Sequence, residues 1–502
     1  MPQLKNQKSF LHAVKWAYTA NWGERTFSAV FTFILAAILG PHDFGVLSIA
    51  VIYISFLQMF QDQGFVSALI QKPDLEPEHS DAVFWFDLAQ SIVLVAVSIF
   101  LGRWWGALNH APQVASVIFV LSFCIPIEAL ATVQRALLSR EMDFKSLSIR
   151  SNVSVMISGI VGIGMAFAGF GVWALVGQQL VRDFVALILL WRLSSWRPRL
   201  AFSWNHLKEL MGFSISIFIA QLANFADGQI GSILLGVLFG PLAVGLYRLA
   251  DKFMNTVVVM ATSSIQAVSL PEFSRQQSNP VELRKSALSC LRLSSTVTLP
   301  ALAGLAAVSG PLMATIGPQW IPAANVLRVL CVVGMFLMFA YFTGPLMQAL
   351  SRPHELAMLE WARTAVGIVF LLAAGLIVRG SPLSAQIMGV ALARFLSVAL
   401  VVAPVFLFIF MRLCGISFSD LAASVAPSAA SSAGVVGAVF VYHHYLSRLA
   451  AGRQQVLLAE EILVGGIVGL ALLLRLDSQL RSFVFSIIQK APGLRAAGSR
   501  AD

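Results

Sequence analysis

Long apolar stretches, each about long enough to cross a bilayer, recur along the whole chain. A membrane-spanning helix needs roughly 20 mostly apolar residues, because lipid offers backbone N–H and C=O groups no hydrogen-bond partners. About fourteen stretches meet this requirement. They predict helices at 17–40, 43–66, 82–106, 113–138, 147–169, 171–192, 210–239, 242–270, 287–316, 322–350, 355–378, 384–412, 422–446 and 456–475. The pattern therefore predicts an all-α polytopic membrane protein, with its weakest spans at 147–192 and 422–446.

One turn-and-helix motif occurs twice. Gly40–Ala50 and Gly240–Ala250 both read Gly-Pro-x-x-x-Gly and end in Ala, and each copy closes one apolar stretch and opens the next. Internal repeats of this kind are typical of transporters that rock one half against the other. The repeat predicts two pseudo-repeat lobes of six spans each, 1–200 and 201–412. Residues 413–502 then add spans 13 and 14 and a basic cytoplasmic tail.

Composition and charge agree with a membrane location. The chain is 58% hydrophobic and only 12% charged, which is far too apolar for a soluble core of this size. Its net charge of +10 lies mainly in one set of loops, which includes Arg140, Lys145 and Arg150. The opposite loops hold only Arg103, Arg379, Arg448 and Arg453. By the positive-inside rule both termini are cytoplasmic, and the basicity indicates membrane lipids and not nucleic acid as partners.

Nothing in the sequence indicates an enzyme, a cofactor or a metal centre. The motifs HExxH, GxxxxGK[ST] and GxSxG are all missing from the sequence. The cysteines are isolated in or beside spans and are expected to be buried small hydrophobic residues: Cys124, Cys290, Cys331 and Cys414. The pair His443-His444 stands at the outer end of a span and is interpreted as interfacial.

Ionisable side chains within spans are costly in a bilayer, so each is a candidate for function. The cations expected to line a cavity and bind substrate are Arg25, Arg248, Lys252 and Arg394. The polar residues expected in the cavity or in ion coupling are Glu24, Asn224, Asp227 and Asp251. Arg248 and Lys252 are four residues apart and share a helix face, although Arg248 also lies within reach of the outer interface.

Other charges in spans are interpreted as structural. Arg182-Asp183 and Glu128 are expected to tie neighbouring helices together. Glu360 lies three residues before Arg363, which predicts an ion pair within one helix.

Several local motifs, in this order along the chain, resemble one family of transporters. They are Asp43-Phe44-Gly45, Phe170-Gly171-Val172-Trp173-Ala174-Leu175, Trp196-Arg197-Pro198-Arg199-Leu200, Leu270-Pro271-x-Phe273-Ser274-Arg275 and Gly317-Pro318-Gln319-Trp320-x-Pro322. From about Trp16 to Arg412 the chain resembles the Wzx-type polysaccharide flippases of the multidrug/oligosaccharidyl-lipid/polysaccharide superfamily.

The resemblance implies two six-helix lobes around a central cavity that opens alternately to the two membrane faces. It also implies a substrate, an oligosaccharide repeat unit on undecaprenyl diphosphate, that is moved from the cytoplasmic to the outer leaflet of the bacterial inner membrane. A polysaccharide polymerase and export machinery would be the partners in surface polysaccharide assembly.

Two alternatives remain at the level of sequence. A cation-coupled efflux transporter of small organic cations would share the fold. Its cavity is expected to be acidic and aromatic, whereas basic residues predominate among the intramembrane charges of this chain. A polysaccharide polymerase or O-antigen ligase would handle the same lipid. Such enzymes usually carry catalytic residues on a long outer loop, and the outer connections here are short.

Overall fold

The computed structural model describes residues 22–62, 64–72, 74–446, 454–477 and 481, and these residues are almost entirely helical. The helices are α1 (22–38), α2 (Pro41–Asp62), α3 (Phe65–Gln71), α4 (Pro77–Leu108), α5 (Gln113–Leu121), α6 (Cys124–Arg140), α7 (Phe144–Phe167), α8 (Val172–Leu193), α9 (Trp204–Gln276), α10 (Pro280–Ala307), α11 (Ser309–Ile316), α12 (Ala323–Leu337), α13 (Ala340–Ala349), α14 (Pro353–Ile377), α15 (Leu383–Ser397), α16 (Ala403–Cys414), α17 (Phe418–Leu446) and α18 (Gln454–Leu476). A 3₁₀ turn (Pro318–Trp320) and a π-helical turn (Val398–Val402) complete the set. No strand occurs among these residues, so the all-α fold class is confirmed.

Twelve helices in the described part of the chain are long and apolar enough to cross a membrane. A helix also lies at the two remaining predicted stretches, namely α1 and the first half of α9, which is interrupted at Gly240. The total of fourteen spans and the cytoplasmic termini stay predictions, because the start of the first stretch and the basic tail lie outside the described residues.

The two weakest predicted regions do form separate helices. At 147–192 the chain makes α7 and α8, joined by a turn in which Gly169 and Gly171 have positive φ angles of 83° and 55°. Glycine adopts this conformation without the steric penalty of a Cβ atom. The Ser- and Ala-rich stretch at 422–446 lies within α17.

The chain divides into two compact units. The first consists of Met1–Lys252 and Ala357–Arg394, and the second of Phe253–Leu356 and Phe395–Asp502. In the first unit α7 packs along α8, and α6 packs against α3, α4 and α8. The predicted division into lobes 1–200 and 201–412 stays a prediction.

The second unit is built around α10. This helix packs against α12 and α17, and α17 packs against α18. A buried apolar cluster that includes Phe273, Leu291, Phe342 and Phe410 forms its core. The four cysteines of the chain are buried and free, as predicted.

The two copies of the repeated motif meet in the first unit. A Cβ atom at Gly45 would lie 1.8 Å from the backbone oxygen of Pro241, and one at Gly245 would lie 1.8 Å from the backbone oxygen of Pro41. The contact is reciprocal, as two related segments crossing at a pseudo-twofold axis would produce. Only glycine allows the backbones to approach this closely.

Candidate functional site

A polar cavity of about 570 Å³ lies inside the first unit. Six elements line it: α1, α2, α6, α7, α8 and the first half of α9. Its charged lining residues are Glu24, Glu128, Arg135, Arg150, Arg182 and Asp183. Hydrogen-bonding groups of neutral side chains accompany them: Ser55, Gln58, Ser151, Ser154, Gln179 and Gln221.

Helical spacing explains why these residues face one space. On α8 four lining residues lie on one face of the helix, because they are spaced at i, i+3, i+4 and i+7. They are Gln179, Arg182, Asp183 and Ala186. On α6 Glu128 and Arg135 are seven residues apart, or about two turns. Each of these helices therefore turns a polar stripe toward the cavity.

Two of the arginines are paired with acids on their own helices. Arg135 forms an ion pair with Glu128. The Nε atom of Arg182 lies 3.5 Å from Oδ1 of Asp183, and Oδ2 of Asp183 accepts a hydrogen bond of 3.0 Å from Gln179. Both ion pairs join residues of one helix. Asp183 also shares a side-chain hydrogen bond with Cys124 of α6, so the prediction that Arg182-Asp183 ties neighbouring helices together is confirmed for Asp183. For Glu128 it stays a prediction.

Arg150 differs from the other two arginines. Its Nε atom is buried, and within the described part of the chain this atom has no hydrogen-bond partner. The charges of Arg135, Glu128, Glu24 and Arg182 all act on it. Burying a guanidinium group without satisfying its donors is unfavourable. Arg150 thus presents a buried donor that a ligand in the cavity would satisfy.

Arg135 and Arg150 were missed as site residues at the level of sequence. Arg150 was counted among the cytoplasmic loop charges, yet it lies inside α7, six residues after Phe144. A signal was present, since Arg150, Ser151 and Ser154 form a polar patch at the start of an apolar helix.

Among the predicted residues with described side chains, Glu24 lines this cavity. The side chains of Asn224 and Asp227 lie outside the described part. Arg25 is half-buried on α1, next to Glu24.

The other predicted charges form polar contacts elsewhere in the first unit. The Nη1 atom of Arg394 donates to the hydroxyl of Tyr247 at 2.9 Å and to Oδ1 of Asp251 at 3.0 Å. Tyr247 and Asp251 are four residues apart, so one helix face presents both acceptors.

Lys252 lies within electrostatic reach of the cavity arginine Arg182, and Arg248 precedes Lys252 by one helical turn. The Nζ atom of Lys252 donates to Oγ1 of Thr32 at 2.6 Å, and Nη1 of Arg248 donates to Oε1 of Gln229 at 3.2 Å. The charges of Arg182 and Arg248 both act on Lys252. The first unit therefore concentrates positive charge around α1, α8 and α9.

Two further predictions can be compared with the structure. Arg363 and Glu360 form the expected ion pair, with Nη1 2.9 Å from Oε2. At the end of α17, Nδ1 of His443 lies 2.7 Å from Oε1 of Glu461. This acid was not predicted, because it comes from the next helix and not from the neighbouring sequence.

The fold is that of a class of multi-pass membrane transporters. It is similar to a structure named Lipid II flippase MurJ, inward closed conformation, with a TM-score of 0.72 and 14% identity over 92% of this chain and 99% of that one. It is also similar to an inward-facing multidrug resistance MATE family transporter of the MOP superfamily. There the TM-score is 0.60 at 16% identity, over 80% of this chain and 98% of that one. At such identities the likeness concerns the fold.

The chain belongs to a family described as polysaccharide biosynthesis protein, whose profile matches residues 34–325. It is 30% identical to the succinoglycan biosynthesis transport protein ExoT of Rhizobium meliloti (strain 1021), over 65% of this chain and 66% of that protein. It is 24% identical to the lipopolysaccharide biosynthesis protein WzxC of Escherichia coli (strain K12), over 64% of this chain and 65% of that protein. The chain spans slightly less than two thirds of the length of these relatives. The resemblance to the Wzx-type family is confirmed.

Proposed function

We propose that the protein is a flippase that moves oligosaccharide repeat units linked to undecaprenyl diphosphate across the bacterial inner membrane. The observation that carries the proposal is the cavity with three arginines, one of which, Arg150, has a buried nitrogen without a described partner. The family, and the name of a relative as a transport protein for a polysaccharide, support the same function.

The chemical need for such a cavity follows from the substrate. A diphosphate cannot enter hydrocarbon without a large desolvation penalty. Guanidinium groups can replace its water by donating paired hydrogen bonds to phosphate oxygens. In our proposal Arg150 contacts the diphosphate first. Arg135 and Arg182 then exchange their carboxylate partners for it, and the Gln and Ser side chains bind sugar hydroxyls.

The depth of the cavity supports loading from the cytoplasm. Under the predicted topology α6 ends and α7 begins on the cytoplasmic side. At 1.5 Å per residue, Arg135 lies about 8 Å from the end of α6 and Arg150 about 9 Å from the start of α7. A lipid headgroup in the cytoplasmic leaflet would meet these side chains before any at the membrane centre.

In the proposal, the four predicted substrate cations act after the cavity arginines have bound the substrate. Lys252 and Arg248, with Arg25 and Arg394, would receive the charged headgroup as lobes 1–200 and 201–412 rock to open the outer face. Glu24, Asn224, Asp227 and Asp251 remain candidates for coupling to an ion. A polysaccharide polymerase would then consume the repeat unit on the outer side.

The test uses cells that lack the gene, complemented with variants of the full chain. Without the gene we expect polymer to be lost and complete lipid-linked repeat units to accumulate out of reach of an outer-leaflet probe. Arg150→Gln should lower export about tenfold or more, because a hydrogen bond to a charged group contributes about 1.5–3 kcal/mol. Arg150→Lys should restore part of it. Arg192→Gln is the matched control, since Arg192 is exposed at the end of α8.

Three other outcomes would contradict the cavity assignment or the flippase function. Full export by Arg150→Gln, with normal amounts of protein in the membrane, would reject the assignment of this cavity. Normal polymer and normal lipid pools in the deletion strain would favour the efflux transporter. Lost polymer with repeat units already outside would point to the polymerase or ligase.

A further inference from the structure

A second cluster of chemically active side chains lies away from the cavity, where the connection between α3 and α4 meets the start of α9. The first segment supplies Glu76, which precedes α4, and His79 in the first turn of α4. The second supplies Ser203, His206 and Glu209. Both segments are cytoplasmic in the predicted topology. The second one also begins just after the predicted boundary between lobes 1–200 and 201–412.

Close polar contacts join the two segments. The Nε2 atom of His206 lies 3.0 Å from Oε2 of Glu76, and Nε2 of His79 lies 3.2 Å from Oε2 of Glu209. The two imidazole rings stand edge to face with centroids 4.6 Å apart. His79 is almost fully buried, whereas Glu76 and Glu209 are exposed.

The donor set is one that binds a transition metal. One ligand atom from each of Glu76, His79 and His206 lies within 4.8 Å of the other two. Imidazole nitrogens combined with carboxylate oxygens suit Zn²⁺, which takes four ligands at about 2.0–2.2 Å in a tetrahedron. Such bonds bring ligand atoms to about 3.4 Å from one another. The side chains would have to close by about 1 Å, and the exposed Glu76 would have to shift within the capping box of α4 to allow this.

The surroundings of the ligands also match a metal site. The Nδ1 atom of His206 lies 2.6 Å from the hydroxyl of Ser203, an outer contact that orients the ring with Nε2 toward Glu76. The Oε2 atom of Glu209 lies 3.2 Å from Nε2 of His79 and accepts a hydrogen bond of 2.5 Å from Lys72, so this carboxylate already lies beside the other proposed ligands.

One existing hydrogen bond opposes the metal. The Nδ1 atom of His79 accepts the backbone N–H of Glu76 at 3.2 Å, so the ring proton lies on Nε2. Coordination through Nε2 requires that proton to leave and Nδ1 to carry one instead. The metal therefore replaces one hydrogen bond at the first turn of α4, and Lys72 must release Glu209. These two exchanges predict an affinity below that of a fully preformed zinc site.

We propose that Glu76, His79 and His206 bind one divalent transition-metal ion of the Zn²⁺ type, with Glu209 as the fourth ligand. The ion connects the α3–α4 segment to the segment that opens α9. It strengthens a junction that hydrogen bonds already form, and it is distinct from the proposed substrate cavity.

The experiment measures Zn²⁺ binding to the full chain, purified in detergent without a histidine tag, by competition with a chromophoric chelator. We expect one Zn²⁺ per chain and a rise of the melting temperature on addition of Zn²⁺. His206→Gln and Glu76→Gln should each weaken binding at least tenfold, and His206→Cys should retain it because thiolate also binds Zn²⁺. His354→Gln is the control, since His354 is exposed and lies on α14.

The folding of the variants is checked by their melting temperatures without metal, so a loss of binding is not mistaken for unfolding. Excess Mg²⁺ should not displace Zn²⁺, because Mg²⁺ prefers an octahedron of oxygen ligands. Two results would overturn the proposal: a wild-type chain that binds no Zn²⁺, and binding that is unchanged in both His206→Gln and Glu76→Gln.

Discussion

At the scale of single residues, the second unit contains a buried ion pair between α10 and the end of α18. The Nε atom of Arg292 donates to Oδ2 of Asp477 at 2.9 Å, and Nη2 donates to Oδ1 at 2.5 Å. The side chain of Asp477 is only 3% exposed and that of Arg292 is 24% exposed. These two parallel hydrogen bonds are the bidentate geometry in which a guanidinium binds a carboxylate. They join two residues that are 185 positions apart in the chain.

Removing the acid of this pair should destabilise the protein. Asp477→Ala leaves the guanidinium of Arg292 without its partner, and breaking a buried pair in this way costs about 3–5 kcal/mol. We expect a clear fall of the melting temperature in detergent. Glu282→Ala serves as the control, because Glu282 and Lys285 form an exposed pair on α10, and such pairs contribute at most about 1 kcal/mol. Equal melting temperatures for the two variants would contradict the importance of the buried pair.

Residue identity alone predicted which charges are unusual but not what each one contacts. Arg394 stays predicted as a cavity cation, but the hydrogen bonds that it donates to Tyr247 and Asp251 were not predicted. The hydroxyl that accepts from Lys252 belongs to Thr32, which is 220 positions away in the chain. Such pairs depend on how helices pack, and hydropathy along one helix does not contain that information.

At the scale of helices, the contact between α2 and the second half of α9 depends on two glycines. Gly45 and Gly245 each lie against the backbone oxygen of the proline at the second position of the other copy of the motif. A methyl group 1.8 Å from an oxygen is impossible, so an alanine at either position must push the helices apart.

Gly45→Ala and Gly245→Ala are therefore expected to destabilise the protein by about 1–3 kcal/mol each, the usual effect of overpacking, and to reduce export. Thermal unfolding in detergent and complementation of the deletion strain measure the two effects. Gly164→Ala on α7 is the matched control, because nothing lies within 4 Å of the added methyl group. Alanine also favours a helix over glycine by up to about 1 kcal/mol, so this variant should be neutral or more stable. If all three variants behaved alike, the proposed close contact would be wrong.

Close helix packing also explains two glycines of α7, Gly159 and Gly162. A Cβ atom at Gly159 would lie 2.3 Å from the ring of Phe31, and one at Gly162 would lie 2.9 Å from Gln178. These glycines allow α7 to pack closely against α1 and α8.

At the scale of the whole molecule, the sequence predicted helices far better than the cavity. Every span in lipid must be a long apolar stretch whose backbone is hydrogen-bonded internally. Such stretches can be recognised directly in the sequence. The cavity is defined by which helix faces meet. Arg135 and Arg150 lie about 8–9 Å inside their helix ends, where an arginine can also extend to the interface. Sequence could not distinguish a cavity cation from an interfacial one at that depth.

The predicted topology is a further property of the whole molecule, and the described turns allow a direct test. Gln113 begins α5 and Glu141 follows α6, and both are exposed. If the N-terminus is cytoplasmic, Gln113 lies at the outer face and Glu141 at the inner face, because one span separates them.

Single cysteines at these positions report the two faces. All four native cysteines are buried, so they should contribute little background labelling. A membrane-impermeant maleimide added to intact cells with a permeabilised outer membrane should label Gln113→Cys and leave Glu141→Cys unlabelled. After lysis both should react, which shows that each cysteine is accessible. The reverse pattern would invert the topology. The cavity arginines would then lie in the outer half of the membrane, where they could not receive a headgroup from the cytoplasmic leaflet.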